Sequence, residues 1–267
     1  MTERAILYDA TRCTACRGCQ AACKQWNERE GEETTNWGSY ENPKDLSVDT
    51  WLKMEFREIG SNGTFQWLFT RRSCMHCSDA ACVTVCPTGA LYHHPLGFVA
   101  YDRGKCTGCG YCKEFCPFDV PRNNVNRASG LGKMDKCTFC TTYSLDRIAA
   151  GWEPACVKTC PPDALIYGDR DELVAEGRKR VAALAPAYPN ATLYGERELG
   201  GLHVLYLLAD KPEVYGLPAK PKFPAVATAW QDVVQPLGWA AGGAVALGLL
   251  LNLVVARARR IREEEEK

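Results

Sequence analysis

Four runs of closely spaced cysteines constrain the fold of this chain more than any other feature. Two of them lie next to each other and end in Cys-Pro. One reads Cys106-x2-Cys109-x2-Cys112-x3-Cys116-Pro117, and the other is the same run with two extra residues, Cys74-x2-Cys77-x4-Cys82-x3-Cys86-Pro87. The 19 residues between Cys86 and Cys106 predict a strand, a turn and a second strand, at residues 90–93 and 98–101.

This spacing is typical of cysteines that hold 4Fe–4S clusters. Three closely spaced cysteines on one loop wrap a single cubane, whereas the fourth lies on the helix leaving the loop and ligates the neighbouring cluster. The central runs therefore predict two ligand sets: site III, formed by Cys74, Cys77, Cys82 and Cys116, and site IV, formed by Cys86, Cys106, Cys109 and Cys112. A pair of zinc sites is the alternative, since CxxC pairs also bind zinc. Zinc does not call for triplets followed by Cys-Pro.

The two remaining runs flank this central pair. One reads Cys13-x2-Cys16-x2-Cys19-x3-Cys23, and the other reads Cys137-x2-Cys140 and, after 15 further residues, Cys156-x3-Cys160-Pro161. Each has half of what a two-cluster unit needs, so we expect them to pair with each other, with a strand at 5–8 against a strand at 164–167. The predicted sets are site I, formed by Cys13, Cys16, Cys19 and Cys160, and site II, formed by Cys23, Cys137, Cys140 and Cys156. Sequential pairing, first run with second and third with fourth, is the alternative.

Composition supports clusters and argues against several other functions. All 16 cysteines fall into the four runs, which predicts four 4Fe–4S clusters and folding in a reducing compartment. The 32 basic and 32 acidic residues give no net charge, which argues against a nucleic-acid partner. We identify no catalytic triad, phosphate loop, molybdenum-binding feature or substrate pocket. His76, His93, His94 and His203 are expected to make structural hydrogen bonds or to face solvent.

The pattern predicts an α+β fold in which one ferredoxin-like two-cluster unit is nested inside another. An insertion is expected to carry a hairpin with strands at 51–59 and 64–70 and a turn at 61–63, and Asp169 or Asp171 is expected to cap a helix at 171–184. The predicted parts are the outer unit at 1–26 and 137–184, the insertion at 27–73, the central unit at 74–136, an extended Pro-rich segment at 185–232, a transmembrane helix at 233–256 and a charged cytoplasmic tail at 257–267. Within the Pro-rich segment, the apolar run HVLYLL at 203–208 predicts a strand.

The C-terminal region predicts a single membrane span. Residues 236–256 are 21 consecutive uncharged residues, enough for a helix to cross a hydrocarbon core of roughly 30 Å. Trp230 and Trp239 lie near one end of this stretch, where an aromatic belt is expected. Four arginines follow at 257–262, which places this end in the cytoplasm. A buried helix within a soluble complex is the alternative.

This orientation places the cluster-bearing part outside the cytoplasm. We expect no signal peptide in the first residues, and the internal pair Arg71-Arg72 is expected to be solvated or to flank a cluster. Export of a folded, cofactor-loaded protein then requires a partner that carries the export signal.

The chain resembles the beta, iron–sulfur subunit of membrane-bound respiratory formate dehydrogenases over nearly its whole length. The resemblance rests on CTACRGCQAACKQWN, NPKDLS at 42–47, CMHC with its CPTGA, CTGCGYCKEFCPFDVPR, EPACVKTCP, GGLHVLYLL and the single C-terminal helix. The cysteine frame alone is shared by subunits of molybdenum or tungsten reductases and of some hydrogenases. The NPKDLS segment and the C-terminal helix narrow the resemblance from this wide group to the formate dehydrogenase subunits.

The resemblance implies a non-catalytic electron-transfer subunit in the bacterial inner membrane. Its implied partners are a molybdenum or tungsten pterin alpha subunit that oxidises formate, a membrane cytochrome b gamma subunit that reduces quinone, and membrane lipid. The cluster-bearing part is expected on the periplasmic side, exported with an alpha subunit that carries a twin-arginine signal. The equivalent subunit of a membrane hydrogenase, or of a polysulfide or dimethyl sulfoxide reductase, is the alternative.

Overall fold

The computed structural model describes residues 2–61, 64–124, 132–142 and 145–265, and the chain divides into two units, Met1–Pro224 and Ala225–Lys267. The strands of the first unit are β1 (Arg4–Asp9), β2 (Lys53–Ser61), β3 (Thr64–Arg72), β4 (Leu91–His93), β5 (Val99–Tyr101), β6 (Arg122–Asn123), β7 (Met134–Asp135), β8 (Leu165–Asp169), β9 (Thr192–Tyr194) and β10 (Val204–Leu208). Its helices are α1 (Gly18–Trp26), α2 (Ala81–Thr84), α3 (Tyr111–Glu114), α4 (Ala155–Lys158) and α5 (Arg170–Leu184), with short 3-10 helices at Glu198–Gly200 and Pro212–Tyr215.

A four-stranded sheet in the order β8-β1-β10-β9 brings distant parts of the chain together. β1 runs antiparallel to β8, with Ile6 opposite Tyr167, and parallel to β10, with Ile6 opposite Val204. The predicted pairing of the strands at 5–8 and 164–167 is therefore confirmed. Because these strands precede Cys13 and follow Cys160, the sheet brings the first and last cysteine runs to one place.

Residues 185–232 are only partly the extended segment that their prolines predict. β10 confirms the predicted strand at 203–208, whereas β9 at 192–194 was not predicted, and the chain is helical from Ala225 onward. Every residue of β10 is buried, because helix α5 covers one face of the sheet and the main core covers the other.

Two hairpins agree with the sequence-based expectations. β2 and β3 pair from Lys53 opposite Arg72 to Ser61 opposite Thr64, while the two predicted turn residues Asn62 and Gly63 lie outside the described residues. β4 and β5 pair between the two central cysteine runs, with Leu91 opposite Tyr101.

Helix α5 covers one face of the four-stranded sheet. Asp169 caps the helix, since its Oδ1 accepts hydrogen bonds from the main-chain N–H groups of Asp171 (3.0 Å) and Glu172 (3.3 Å). Leu173 and Val174 pack with the buried β1 and β10 side chains that point to this face. The opposite face of the sheet contributes Ile6, Tyr8 and Tyr206 to the main core, which also contains ligand-run cysteines. The sheet therefore forms one wall of the cysteine-bearing interior.

The second unit is almost entirely helical. It contains α6 (Ala225–Ala229), a π-helical turn (Trp230–Val234) and α7 (Gln235–Glu265). Residues 225–260 have a mean hydropathy of 1.9 over their most apolar window, which is not buried inside the chain. Length and composition make this helix a candidate membrane span, in agreement with the predicted helix at 233–256.

Candidate iron–sulfur sites

The four cysteines predicted for site I line one cavity. Cys13, Cys16 and Cys19 lie on the loop after β1 and at the start of α1, whereas Cys160 lies in the turn after α4. Tyr8, Met54 and Leu165 belong to the same cavity wall, which is largely apolar. Cysteines from the first and last runs thus share a site that no single run of the sequence contains.

The four cysteines predicted for site IV line a second cavity. Cys86 lies after α2, and Cys106, Cys109 and Cys112 lie on the loop leading into α3. Leu91, Tyr101 and Met134 contribute apolar wall. As at site I, three cysteines of one run meet the fourth cysteine of another.

The cysteines of sites II and III form two further groups, identified by their mutual electrostatic influence. Burial raises the pKa of Cys23 well above its usual value, and the neighbouring thiolates of Cys137, Cys140 and Cys156 raise this pKa further. Burial also raises the pKa of Cys77, with added contributions from the thiolates of Cys74, Cys82 and Cys116. Each group contains the members of one predicted ligand set.

The raised pKa values of these buried thiols indicate that their thiolate forms need positive charge nearby. Burial, the largest cause, raises the pKa of Cys19 to about 12 and that of Cys116 to about 11. At neutral pH such thiols would stay protonated, because several thiolates cannot share a buried space without positive charge. Iron ions supply that charge and displace the protons, so the donor set fits a metal cluster.

The cysteines of sites I and IV line cavity walls, three from one run and one from another. This placement fits a cubane, in which each thiolate binds a different iron. Across the described residues, no group of three or more His, Cys, Asp or Glu side chains is placed to hold one metal ion.

Cysteines of the sets predicted for sites II and III lie next to each other. Cys137 of site II is among the groups that raise the pKa of Cys74 of site III, after burial, and the two cysteines pack in one apolar cluster with Leu46. We call this contact between buried Cys74 and partly buried Cys137 the interior junction. The structure describes all 16 cysteines, and those exposed are Cys16 of site I and Cys109 of site IV.

The NPKDLS segment lies beside this junction. Leu46 packs against Cys74, and Asp45 binds both Arg72 (2.7 Å) and Arg122 (2.9 Å). Hydrogen bonding and these two cations lower the pKa of Asp45, more than offsetting the largest cause, burial, which raises it. These contacts connect the NPKDLS segment to strand β3 and to the loop after Cys116.

The twin arginines separate into two environments that the sequence does not distinguish. Arg72 is partly exposed and pairs with Asp45 and with Asp119 (3.0 Å). Arg71 is buried, and its Nη2 lies 3.8 Å from Cys156 Sγ. Alternation along β3 is the signal that could have separated them, because adjacent strand residues face opposite sides. Lys136 is also buried, next to Cys137, and no sequence signal marks it as a residue near a site.

Histidines near the cysteines make structural contacts. His76 is buried and its Nδ1–H donates to the main-chain oxygen of Val99 (3.1 Å), while burial lowers its pKa well below the usual value. His203 is also buried, and its Nδ1–H donates to the main-chain oxygen of Arg4 (2.8 Å). These contacts agree with the structural roles predicted for both.

Two family models match the chain. Residues 65–170 match the 4Fe-4S dicluster domain, and residues 224–266 match the family described as formate dehydrogenase N, transmembrane. The first match covers the central cysteine runs and the last run, and the second covers the C-terminal helical unit.

Curated relatives align with almost the whole chain. The formate dehydrogenase-O iron-sulfur subunit of Escherichia coli (strain K12) is 39% identical over 98% of this chain and 87% of its own length. The formate dehydrogenase iron-sulfur subunit of Haemophilus influenzae is 40% identical over 92% of this chain and 78% of its own length. The hydrogenase-2 operon protein HybA of Escherichia coli O157:H7 is more distant, at 34% identity over 80% of this chain and 72% of its own length.

Proposed function

This chain belongs to the family of formate dehydrogenase iron–sulfur subunits, and from that premise we propose that it relays electrons through four 4Fe–4S clusters. The relatives' names place it among electron-transfer subunits of an oxidoreductase complex, not among catalytic subunits. The proposed electron donor is a partner that oxidises formate at a molybdenum or tungsten pterin. The proposed acceptor is a membrane cytochrome b that reduces quinone.

The proposed ligands are the four predicted sets, in two nested ferredoxin-like units. The single observation that carries this proposal is the cavity in which Cys160 lines the same wall as Cys13, Cys16 and Cys19. Sequential pairing of the runs would instead require Cys160 to accompany cysteines of the third run. The pairing of β1 with β8 supports the nested arrangement, because it joins the two halves of the outer unit.

The proposed electron path is linear, from site I through sites II and III to site IV or in the reverse direction. Cys74 and Cys137 lie together at the interior junction, which supports direct transfer between sites II and III. Exposed Cys16 and Cys109 make sites I and IV the points of contact with redox partners. A relay with both ends at the surface is what a subunit between two partners requires.

Each bound cluster would supply one-electron chemistry, and the chain's own residues would set the conditions for it. Sixteen thiolates would hold the clusters, and apolar side chains such as Leu91, Met134 and Met54 would exclude water from them. Main-chain N–H groups donate to sulfur at some ligands; for example, Ala15 N–H donates to Cys13 Sγ (3.4 Å). Burial and such hydrogen bonds tune the potential of an iron–sulfur cluster.

The proposed location is the bacterial inner membrane. The family match at 224–266 and the candidate span support one membrane crossing in contact with lipid. The arginines after residue 256 support a cytoplasmic C-terminus, and hence a periplasmic cluster-bearing unit exported with the catalytic partner.

A hydrogenase-linked role is the second candidate, and the 34% identity with HybA favours it over more remote options. The partner that copurifies would discriminate the two, because both roles use the same cysteine frame. Copurification with a formate-oxidising subunit would support the first role, and copurification with a hydrogenase catalytic subunit would support the second.

Anaerobic purification of the complex from its native membrane tests the proposal. We expect a brown preparation in which this chain carries about 16 iron atoms, four per cluster, and in which formate reduces the clusters. Iron content near half that value, or zinc in place of iron, would contradict the four-cluster relay. Reduction by hydrogen and not by formate would favour the second candidate.

A further inference from the structure

Two cations are buried in the first unit next to the interior junction. Arg71 and Lys136 are each 1% exposed, and neither lies within salt-bridge distance of a carboxylate in the described parts of the chain. Lys53 is comparably buried but is paired with Glu41, with 2.6 Å between Nζ and Oε2. Because burying an unpaired cation is costly, the folded protein needs other anions near Arg71 and Lys136.

Arg71 faces site II. Its Nη2 lies 3.8 Å from Cys156 Sγ, and its Nη1 donates to Ser73 Oγ. The hydroxyl of Tyr206 donates to the main-chain oxygen of Arg71 and thereby fixes this part of β3. An arginine guanidinium stays protonated in proteins, so this buried contact places a fixed positive charge beside site II.

Lys136 lies beside Cys137 of site II. Its Nζ donates to the main-chain oxygens of Val99 and Cys137, both at 2.9 Å, and these two bonds hold the ammonium in place. The second bond places this cation next to a proposed ligand of site II.

We propose that Arg71 and Lys136 together raise the reduction potential of the inner cluster at site II. This inference rests on the proposed function. A cluster that accepts an electron from its neighbour gains one negative charge, with no bond formed or broken. A fixed cation nearby stabilises that reduced state more than the oxidised state, and a water-poor interior strengthens the effect.

The arrangement makes the cluster at site II easier to reduce than it would be without the cations. Sites I and IV each have an exposed ligand, Cys16 and Cys109, where solvent and ions screen charge. Three proposed ligands of site II, Cys23, Cys140 and Cys156, are buried, so hydration offsets less of the charge of a reduced cluster there. Arg71 and Lys136 would then offset that charge and make electron transfer through site II more favourable.

Redox titration of the purified complex, followed by electron paramagnetic resonance, tests this proposal. Arg71→Met and Lys136→Met remove each charge and keep an apolar stem of similar length. We expect each variant to lower the same reduction step, that of site II, by at least tenfold in the reduction equilibrium, which is about 59 mV for one electron. Arg72→Met is the matched control, and its steps should move less than twofold, because Arg72 pairs with carboxylates.

Measuring the iron content of each variant distinguishes a change in reduction potential from the loss of a cluster. Full iron and unchanged potentials in both Met variants would overturn the proposal while leaving the relay intact. Fewer than four reducible clusters in the unmodified chain would instead remove the proposed function. Should Arg71→Met lose iron, Arg71→Lys keeps the charge and Arg71→Gln keeps a donor for Ser73; equal potentials in these two variants would also overturn the proposal.

Discussion

Single residues position the thiols through backbone conformations that the cysteine spacing does not specify. Ala15 and Arg17, on either side of Cys16, have φ values of 51° and 62°. His76, between Cys74 and Cys77, has φ 50°, and Cys140 itself has φ 62°. Residues other than glycine rarely adopt this left-handed region, so packing or the bound group must hold them there. The sequence could therefore identify the ligands, but not the conformations of the residues between them.

Cys160→Ala tests the proposed ligand set at site I. Cys160 lies 137 residues beyond Cys23, yet it lines the cavity of Cys13, Cys16 and Cys19. We expect the variant to lose one iron at site I or the whole cluster, with damage spreading to site II before sites III and IV. Iron analysis with electron paramagnetic resonance of the reduced protein measures this. Early loss of a central cluster, with both outer clusters retained, would favour another pairing.

Gly108→Ala tests the loop between Cys106 and Cys109. Gly108 has φ +78°, and an added Cβ would overlap main-chain atoms of Gly132. We expect iron to be lost from site IV, since the substitution adds a main-chain clash to a conformational cost of about 1–2 kcal/mol. Gly89→Ala is the control, because Gly89 also has positive φ (+62°) but no atom lies within 4 Å of the added Cβ. Equal iron retention in the two variants would contradict this role for Gly108.

At the scale of elements, local patterns predicted the hairpins, and the long-range sheet pairing was only partly predictable. β2 and β3 alternate, and Asp169 precedes a helical pattern, so both elements follow from neighbouring residues. β10 was expected as a strand, but its parallel pairing with β1 joins residues about 200 positions apart. No local signal specifies such a partner. Likewise, alternation along β3 predicts that Arg71 and Arg72 face opposite sides, but it does not specify which of the two faces inward.

Removing the C-terminal helix separates membrane attachment from cluster binding. A chain ending at residue 235 lacks most of α7, whereas every cysteine lies in the first unit. We expect this truncated chain to leave the membrane fraction and to keep its iron, because no ligand is removed. Membrane fractionation with iron analysis, performed without partner subunits, measures both properties. Retention of the truncated chain in the membrane would contradict the assignment of α7 as the span.

At the scale of the whole molecule, sequence order and spatial order differ. The first and last cysteine runs come together around the four-stranded sheet, and the two middle runs come together around the β4–β5 hairpin. Cys74 and Cys137 then join the two pairs at an interior junction. This arrangement supports a relay whose two ends are exposed and whose two inner sites are enclosed by protein, with Arg71 and Lys136 beside them.

An iron-edge anomalous diffraction map of the anaerobically purified complex tests the nested four-cluster relay most directly. The account predicts four separate iron peaks on this chain, with Cys160 bound to the cluster of Cys13, Cys16 and Cys19, and Cys23 bound to that of Cys137, Cys140 and Cys156. It also predicts that the clusters follow one another in the order of sites I, II, III and IV. Fewer than four peaks, or Cys160 bound to the same cluster as Cys156, would contradict it.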